Sequence, residues 1–201
     1  MRILRIGAAV FFGLATVVSV LVAVMFSSHG SIIDDMAAGR SPGDELGEAQ
    51  AAAVFVILVG LLFAGVAMLL LAVWSTRAMA SIERLTGHAL RSDRIAISWI
   101  FPIVNLVAPF TSLRVAARQI GLDTDPIDRW QIGWVALVGL VAAAPFALGI
   151  LDLDQRDAAF MLTAVAVLIA VVSAITAFLA TLVMRRFERG IRDADRTAAL
   201  D

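Results

Sequence analysis

The apolar positions of this chain do not alternate with polar ones; they run together. Ile6 to Phe26 is twenty-one residues without a charge. As a helix rising about 1.5 Å per residue it covers roughly 30 Å, the thickness of a bilayer's hydrocarbon core. Ala49 to Trp74, Trp130 to Leu151 and Ala158 to Met184 are three more uncharged blocks of crossing length. Such blocks predict membrane-spanning helices rather than the half-buried elements of a water-soluble core. The first is read as an uncleaved span. Arg2 and Arg5 precede it as they would in a signal peptide, but a signal's apolar core is usually about 7–15 residues and ends in small residues, where this chain has Val24-Met25-Phe26. Only Asp152 to Asp157 separates the last two blocks, which predicts a tight hairpin.

One segment, 95–113, fits neither pattern. Its continuous apolar part, Ile100 to Phe110, is short and holds Pro102, Asn105 and Pro109. The distribution of arginine decides how it runs. If it does not cross, two Arg before the first span, four between Arg77 and Arg94, three between Arg114 and Arg129 and five from Arg185 to Arg196 share one side, fourteen of the sixteen. If it crosses, seven fall inside against nine outside. Cytoplasmic loops carry the basic excess, so the expectation is four spans, at about 6–26, 49–74, 130–151 and 158–184, with both termini cytoplasmic and a basic tail, 185–201. The segment 95–113 is then a re-entrant or interfacial helix-turn covered by the other helices, because its prolines remove backbone donors that lipid cannot replace. A kinked short crossing is the alternative.

All four tryptophans, Trp74, Trp99, Trp130 and Trp134, fall at the cytoplasmic interface of this arrangement, with Trp130 and Trp134 as anchors of the third span. After Trp74 the helical spacing continues: Ala78, Ile82, Leu85 and Ala89 share a face, and Arg77, Arg84 and Arg91 recur on another. Arg114 and Arg118 lie one turn apart, and Arg185, Arg189, Arg192 and Arg196 form a stripe beside Phe187 and Ile191. Guanidinium groups so placed fix orientation and bind anionic headgroups, each contributing on the order of 1 kcal/mol at such a surface. Small residues four apart, Ala166, Ala170 and Ala174 in the last block and Gly60 with Ala64 in the second, predict close helix packing. The stretch Ser27 to Glu48 is acidic, with Asp34, Asp35, Asp44, Glu45 and Glu48 against Arg40.

Composition agrees with the pattern. The 201 residues are 61% hydrophobic and 16% charged with a mean hydropathy of +0.92, where soluble domains average about 25% charged. Cysteine is absent, which excludes disulfides, thiolate metal sites and a cysteine nucleophile. Lysine and tyrosine are absent too, and Asn105 is the one asparagine, a codon bias expected of a G+C-rich bacterial genome.

Chemistry is sparse. None of the four spans holds Asp, Glu, Lys, Arg or His, whereas ion-coupled carriers, proton relays and charged pores use such groups at depth. Ser19, Thr163, Ser173 and Thr176 are expected to bond back to their own helices. His29 and His88 fall on opposite sides and share no metal; His29 with Asp34 and Asp35 reads as a solvated acidic loop. No HExxH, GxSxG or phosphate-binding glycine loop occurs, and no nucleic-acid module.

The central stretch combines Trp74-Ser75-Thr76-Arg77, Trp99-Ile100-Phe101-Pro102-Ile103-Val104-Asn105-Leu106, Pro109-Phe110 and Arg114. It resembles the bacterial membrane family catalogued as domain of unknown function 4328, whose members share a Trp/Tyr-x-x-Arg at a span's end and a W-x-x-P-I-x-N-L-x-x-P-[YF] run. The resemblance covers about Leu70 to Leu151 and implies a multi-helix membrane protein, without implying a reaction. Read physically, the paired prolines free backbone carbonyls and Asn105 offers an amide as a latch, with Arg77 or Arg114 placed to meet those carbonyls or a lipid phosphate. The expectation is an all-α integral membrane bundle forming a single domain, 1–201, in the bacterial inner membrane. It is noncatalytic and without a cofactor, an accessory or scaffold subunit or an organiser of inner-leaflet lipid. Its companions are anionic lipid and a membrane-protein partner or a second copy, not nucleic acid. A small transporter or channel lined by Pro102 to Pro109 is the competing expectation.

Overall fold

A computed structural model of the chain describes residues 1–37, 45–90, 92–100, 102–150 and 155–200. The elements are α1 (Arg2–Ala37), α2 (Glu45–Thr86), α3 (Ser92–Ile100), α4 (Pro102–Asn105), α5 (Ala108–Gln119), α6 (Asp125–Ile150) and α7 (Gln155–Ala198). Among the described residues no strand occurs. The side chains of the acidic stretch at 28–46, including His29, Asp34 and Asp35, lie outside those described, as do those of Arg91, Pro102 and Arg156; residues 151–154, where the tight hairpin is expected, also lie outside the described residues.

Among the described residues, three helical stretches are long and apolar enough to cross a membrane: Arg2–Met25, Ala51–Thr86 and Phe160–Ala198. They carry the first, second and fourth expected spans. The third lies on α6, whose side chains from 144 onward are outside those described. The outward faces of the three stretches are apolar, with Val17, Leu21, Leu58, Leu61, Leu62, Leu168 and Val171 exposed. Exposed patches of this extent are found where lipid replaces water as the solvent.

Pair contacts fix the order of the helices. Gly7 lies against Leu70 and Gly60 against Val18, so α1 and α2 are antiparallel. Arg5 meets Glu188 and the Thr16 hydroxyl lies 3.2 Å from that of Ser173, so α1 and α7 are antiparallel. Gly133 faces Thr176 and Leu122, just before α6, faces Gly190, so α6 and α7 are antiparallel. The start of α1, the end of α2, the start of α6 and the end of α7 therefore share one end of the bundle, and α3 to α5 pack there against the emerging end of α2.

The residues of each helix suit this packing. On α7 the positions turned inward, Ala166, Ala170, Ser173, Ala177, Ala180, Met184, Phe187 and Ile191, are spaced four and three apart along a single seam. Ala174, expected in that stripe, faces outward, because a four-residue step repeated twice rotates off a 3.6-residue helix. α2 runs unbroken to Thr86, burying Ala78 and Ile82 and exposing Arg77 and Arg84 as the spacing predicts. It stops at Gly87, whose φ of 70° is open to glycine, so Ala89 lies beyond the helix and is exposed.

Candidate functional site

The two prolines of the central segment begin helices instead of breaking one: Pro102 is the first residue of α4, and Pro109 stands in the first turn of α5. A proline there loses no helical hydrogen bond, since the first-turn amides have no partner within the helix. Between them the chain turns at Leu106 and Val107. The turn frees the Leu106 carbonyl, and Gln131 of α6 takes it: its Nε2 donates to Leu106 O at 2.8 Å. The Gln131 Oε1 accepts from the Arg114 guanidinium, whose Nε also donates to Asp128 Oδ1 at 2.5 Å. Asp128 and Gln131 are three apart on α6 and so present one face to α5.

The local sequence sets up this clamp. α5 ends in paired bonds, Gly121 N–H to Arg118 O and Leu122 N–H to Ala117 O, with Gly121 at φ 68°. That is the Schellman arrangement, and the left-handed residue it requires is glycine here. The chain reverses and α6 begins within four residues, which brings Asp128 and Gln131 back beside Arg114.

Beneath the clamp lies an aromatic cluster. Trp99 stacks on Trp130 with centroids 5.7 Å apart, meets Trp134 and Phe110 edge-on, and Phe110 in turn meets Trp130 at 5.1 Å. Trp74 packs edge-on to Phe187 of α7. Such pairs contribute about 0.5–1.5 kcal/mol each beyond the area they bury. The Trp99 indole N–H donates to Ser75 Oγ at 3.0 Å, and Ser75 donates to Ala72 O. The indole nitrogens of Trp74, Trp130 and Trp134 are buried without a hydrogen-bond partner among the described residues.

The expected site residues therefore divide. Trp74, Trp99, Asn105, Pro109, Arg114, Trp130 and Trp134 come together at one end. Trp130 and Trp134, expected as interfacial anchors, are buried, since four rings contributed by α3, α5 and α6 cover one another. Arg114 does not bond the freed carbonyl; it reaches it through Gln131. Arg77, Arg118, Arg185, Arg189 and Arg192 stand exposed on the outside of this end, and among the described residues none lies within ion-pair distance of a carboxylate. The Asn105 side chain, expected as a latch, makes no such bond: the residue is 7% exposed and its Oδ1 has no partner among the described residues. An unpaired buried acceptor of this kind costs about 1–3 kcal/mol.

Asn105 instead borders a cleft of about 520 Å³ together with Trp99, Gly65, Met68, Ala72 and Val138. The cleft opens between α2 and α6, which do not form a packed pair among the described residues. Sequence reasoning did not single out Gln131, Asp128, Ser75 or Glu188. Gln131 was the detectable one, as the only amide within the otherwise apolar block Trp130 to Leu151. Glu188, buried beside Arg5 at 3.5 Å with side-chain exposures of 7% and 16%, ties the two ends of the chain together.

No curated protein and no solved structure matches the chain. The family described as "Domain of unknown function (DUF4328)" matches over residues 40–189, which includes the proline-bracketed segment, the clamp and every tryptophan. A match over that much of the sequence places the chain in the DUF4328 family.

Proposed function

We propose that this protein is a noncatalytic four-span bundle of the bacterial inner membrane, with both termini cytoplasmic, that acts as a scaffold or accessory subunit and gathers anionic lipid at the inner leaflet. The observation that carries this reading is the end of the bundle where the tryptophans are buried: a rigid aromatic core with unpaired arginines around its outside. Buried rings hold the helix ends in place, and the guanidinium groups, free of intramolecular carboxylates, are available to lipid phosphates. The return of α6 to the end where α2 leaves supports an even number of crossings, and the arginine distribution supports the orientation.

The test is reconstitution of the full chain in phosphatidylcholine vesicles with and without phosphatidylglycerol. Thermal stability and phosphatidylglycerol enrichment around the protein should rise with the anionic fraction. Both gains should shrink in an Arg185→Gln, Arg189→Gln, Arg192→Gln variant, each arginine contributing about 1 kcal/mol at low salt. Indifference of the unaltered chain to phosphatidylglycerol would overturn the lipid reading, and affinity purification from native membranes tests for the partner subunit. A second reading, a small transporter using the Pro102 to Pro109 segment, is favoured by the cleft beside Asn105. Flux in proteoliposomes that disappears in Asn105→Leu would put it first.

A further inference from the structure

The α2–α6 cleft has the two features of an amphiphile site. Its walls are apolar, from Gly65, Met68, Ala72 and Val138, and one wall holds the Asn105 amide, whose buried Oδ1 has no partner among the described residues. At about 520 Å³ it falls within the roughly 300–1,000 Å³ of small-molecule sites. The other polar group at the cleft is committed: the Trp99 N–H is bonded to Ser75. What is left is the Asn105 amide, whose Oδ1 has no donor among the described residues, and the terminal torsion of an asparagine is broad enough to turn that oxygen toward the cleft. The α2 wall belongs to a lipid-exposed stretch, so an occupant would enter sideways from the bilayer; Leu69, which also lines the cleft, is 61% exposed.

We propose that this cleft binds one membrane lipid whose polar end carries a hydrogen-bond donor, an ammonium N–H or a hydroxyl, with an acyl chain along Gly65 and Met68 and the donor on Asn105 Oδ1. The inference rests on the membrane placement proposed above but not on the preference for anionic lipid. The geometry also explains why the segment between the prolines carries an amide whose side chain bonds nothing among the described residues: its partner comes from outside.

The chemistry selects its own controls. Phosphatidylethanolamine ends in an ammonium with N–H donors, whereas the trimethylammonium of phosphatidylcholine has none. The full chain is reconstituted in phosphatidylcholine vesicles, and chain-brominated phosphatidylethanolamine or chain-brominated phosphatidylcholine is added; bromine in contact with an indole quenches it, and Trp99 lines the cleft. Quenching should saturate at several-fold lower mole fraction of the ethanolamine lipid. In Asn105→Leu that several-fold preference, the worth of one hydrogen bond, should disappear, with residual quenching equal for the two lipids. Gly65→Leu provides an independent block, because a side chain there meets open space and leaves the packing intact. It should abolish the saturable quenching while circular dichroism and melting stay unchanged.

A brominated long-chain alcohol added from water separates a freely soluble amphiphile from a bilayer lipid. Quenching by the alcohol that survives Gly65→Leu, equal quenching by the two phospholipids in the unaltered chain, or a preference that persists in Asn105→Leu would each overturn the site. None of these experiments contains phosphatidylglycerol, so their failure is distinct from failure of the arginine reading.

Discussion

Gln131 is the residue on which the turn between the prolines depends. Its amide is used on both sides, donating to the Leu106 carbonyl and accepting from Arg114. Replacing it with leucine keeps the volume and strands both partners, so Gln131→Leu should lower stability in detergent by about 1–3 kcal/mol, read as an earlier melting transition. Arg114→Gln should cost less, about 0–1 kcal/mol, since Asp128 is 45% exposed and water replaces much of what the pair provides. Arg77→Ala should leave melting unchanged, because that side chain is exposed and bonds nothing among the described residues. The motif Pro102 to Pro109 made this region visible in the sequence, and the prolines announced that carbonyls would be freed. Which group would answer them was not readable, because Gln131 lies twenty-five residues away from Leu106 and only the α5–α6 reversal brings them together. Asn105, the amide inside the motif, was the natural choice on spacing alone; the structure turns it to a cleft that no local pattern encodes.

Helices were legible wherever a long uncharged block specified them, and their inward faces were legible wherever a seam of alternating three- and four-residue steps ran through the block. Their closest approaches were not. Gly133 is unremarkable in the sequence, yet a Cβ placed on it would stand 2.9 Å from Thr176 Oγ1, so α6 and α7 meet there because the residue is glycine. Gly133→Val should separate the two helices and cost about 1–3 kcal/mol as overpacking, while Gly139→Ala, with nothing within 4 Å, should be silent; a melting comparison of the two variants decides it. The reversal between α5 and α6 makes a comparable demand on the backbone. Gly121→Ala keeps every side-chain contact but forces a left-handed residue to carry a Cβ, which should cost about 1 kcal/mol and loosen the Arg114–Gln131 clamp with it. Tryptophan illustrates the limit of reading elements one at a time. Each ring sits at the end of an uncharged block, as an interfacial anchor would, but four helix ends converge, and rings that would face headgroups on an isolated helix are covered by other rings here.

For the whole molecule, the question is on which side each end of the bundle lies. Arg5 and Glu188 pair at 3.5 Å, the α5–α6 turn packs on Gly190, and the start of α2 lies at the opposite end of the helices. The chain holds no cysteine, so a single introduced thiol reports its own position without background. Three exposed positions suffice: Glu48→Cys at the far end, Asp123→Cys in the α5–α6 turn and Thr197→Cys in the basic tail. In the proposed orientation a thiol reagent that cannot cross the inner membrane labels Glu48→Cys in intact cells, and labels Asp123→Cys and Thr197→Cys only after the membrane is opened. Asp123 carries the decision about the proline-bracketed segment. Were 95–113 to cross, Asp123 would join Glu48 outside, and the three arginines from Arg114 to Arg129 would go with it, against the charge asymmetry that orients membrane proteins. The packed structure makes the same demand by an independent route, since Trp99 and Trp130 can stack only if the segment between α2 and α6 returns to the end it left. Labelling of both Glu48→Cys and Asp123→Cys from outside would thus contradict the aromatic cluster and the arginine count together, and no rearrangement of one could rescue the other.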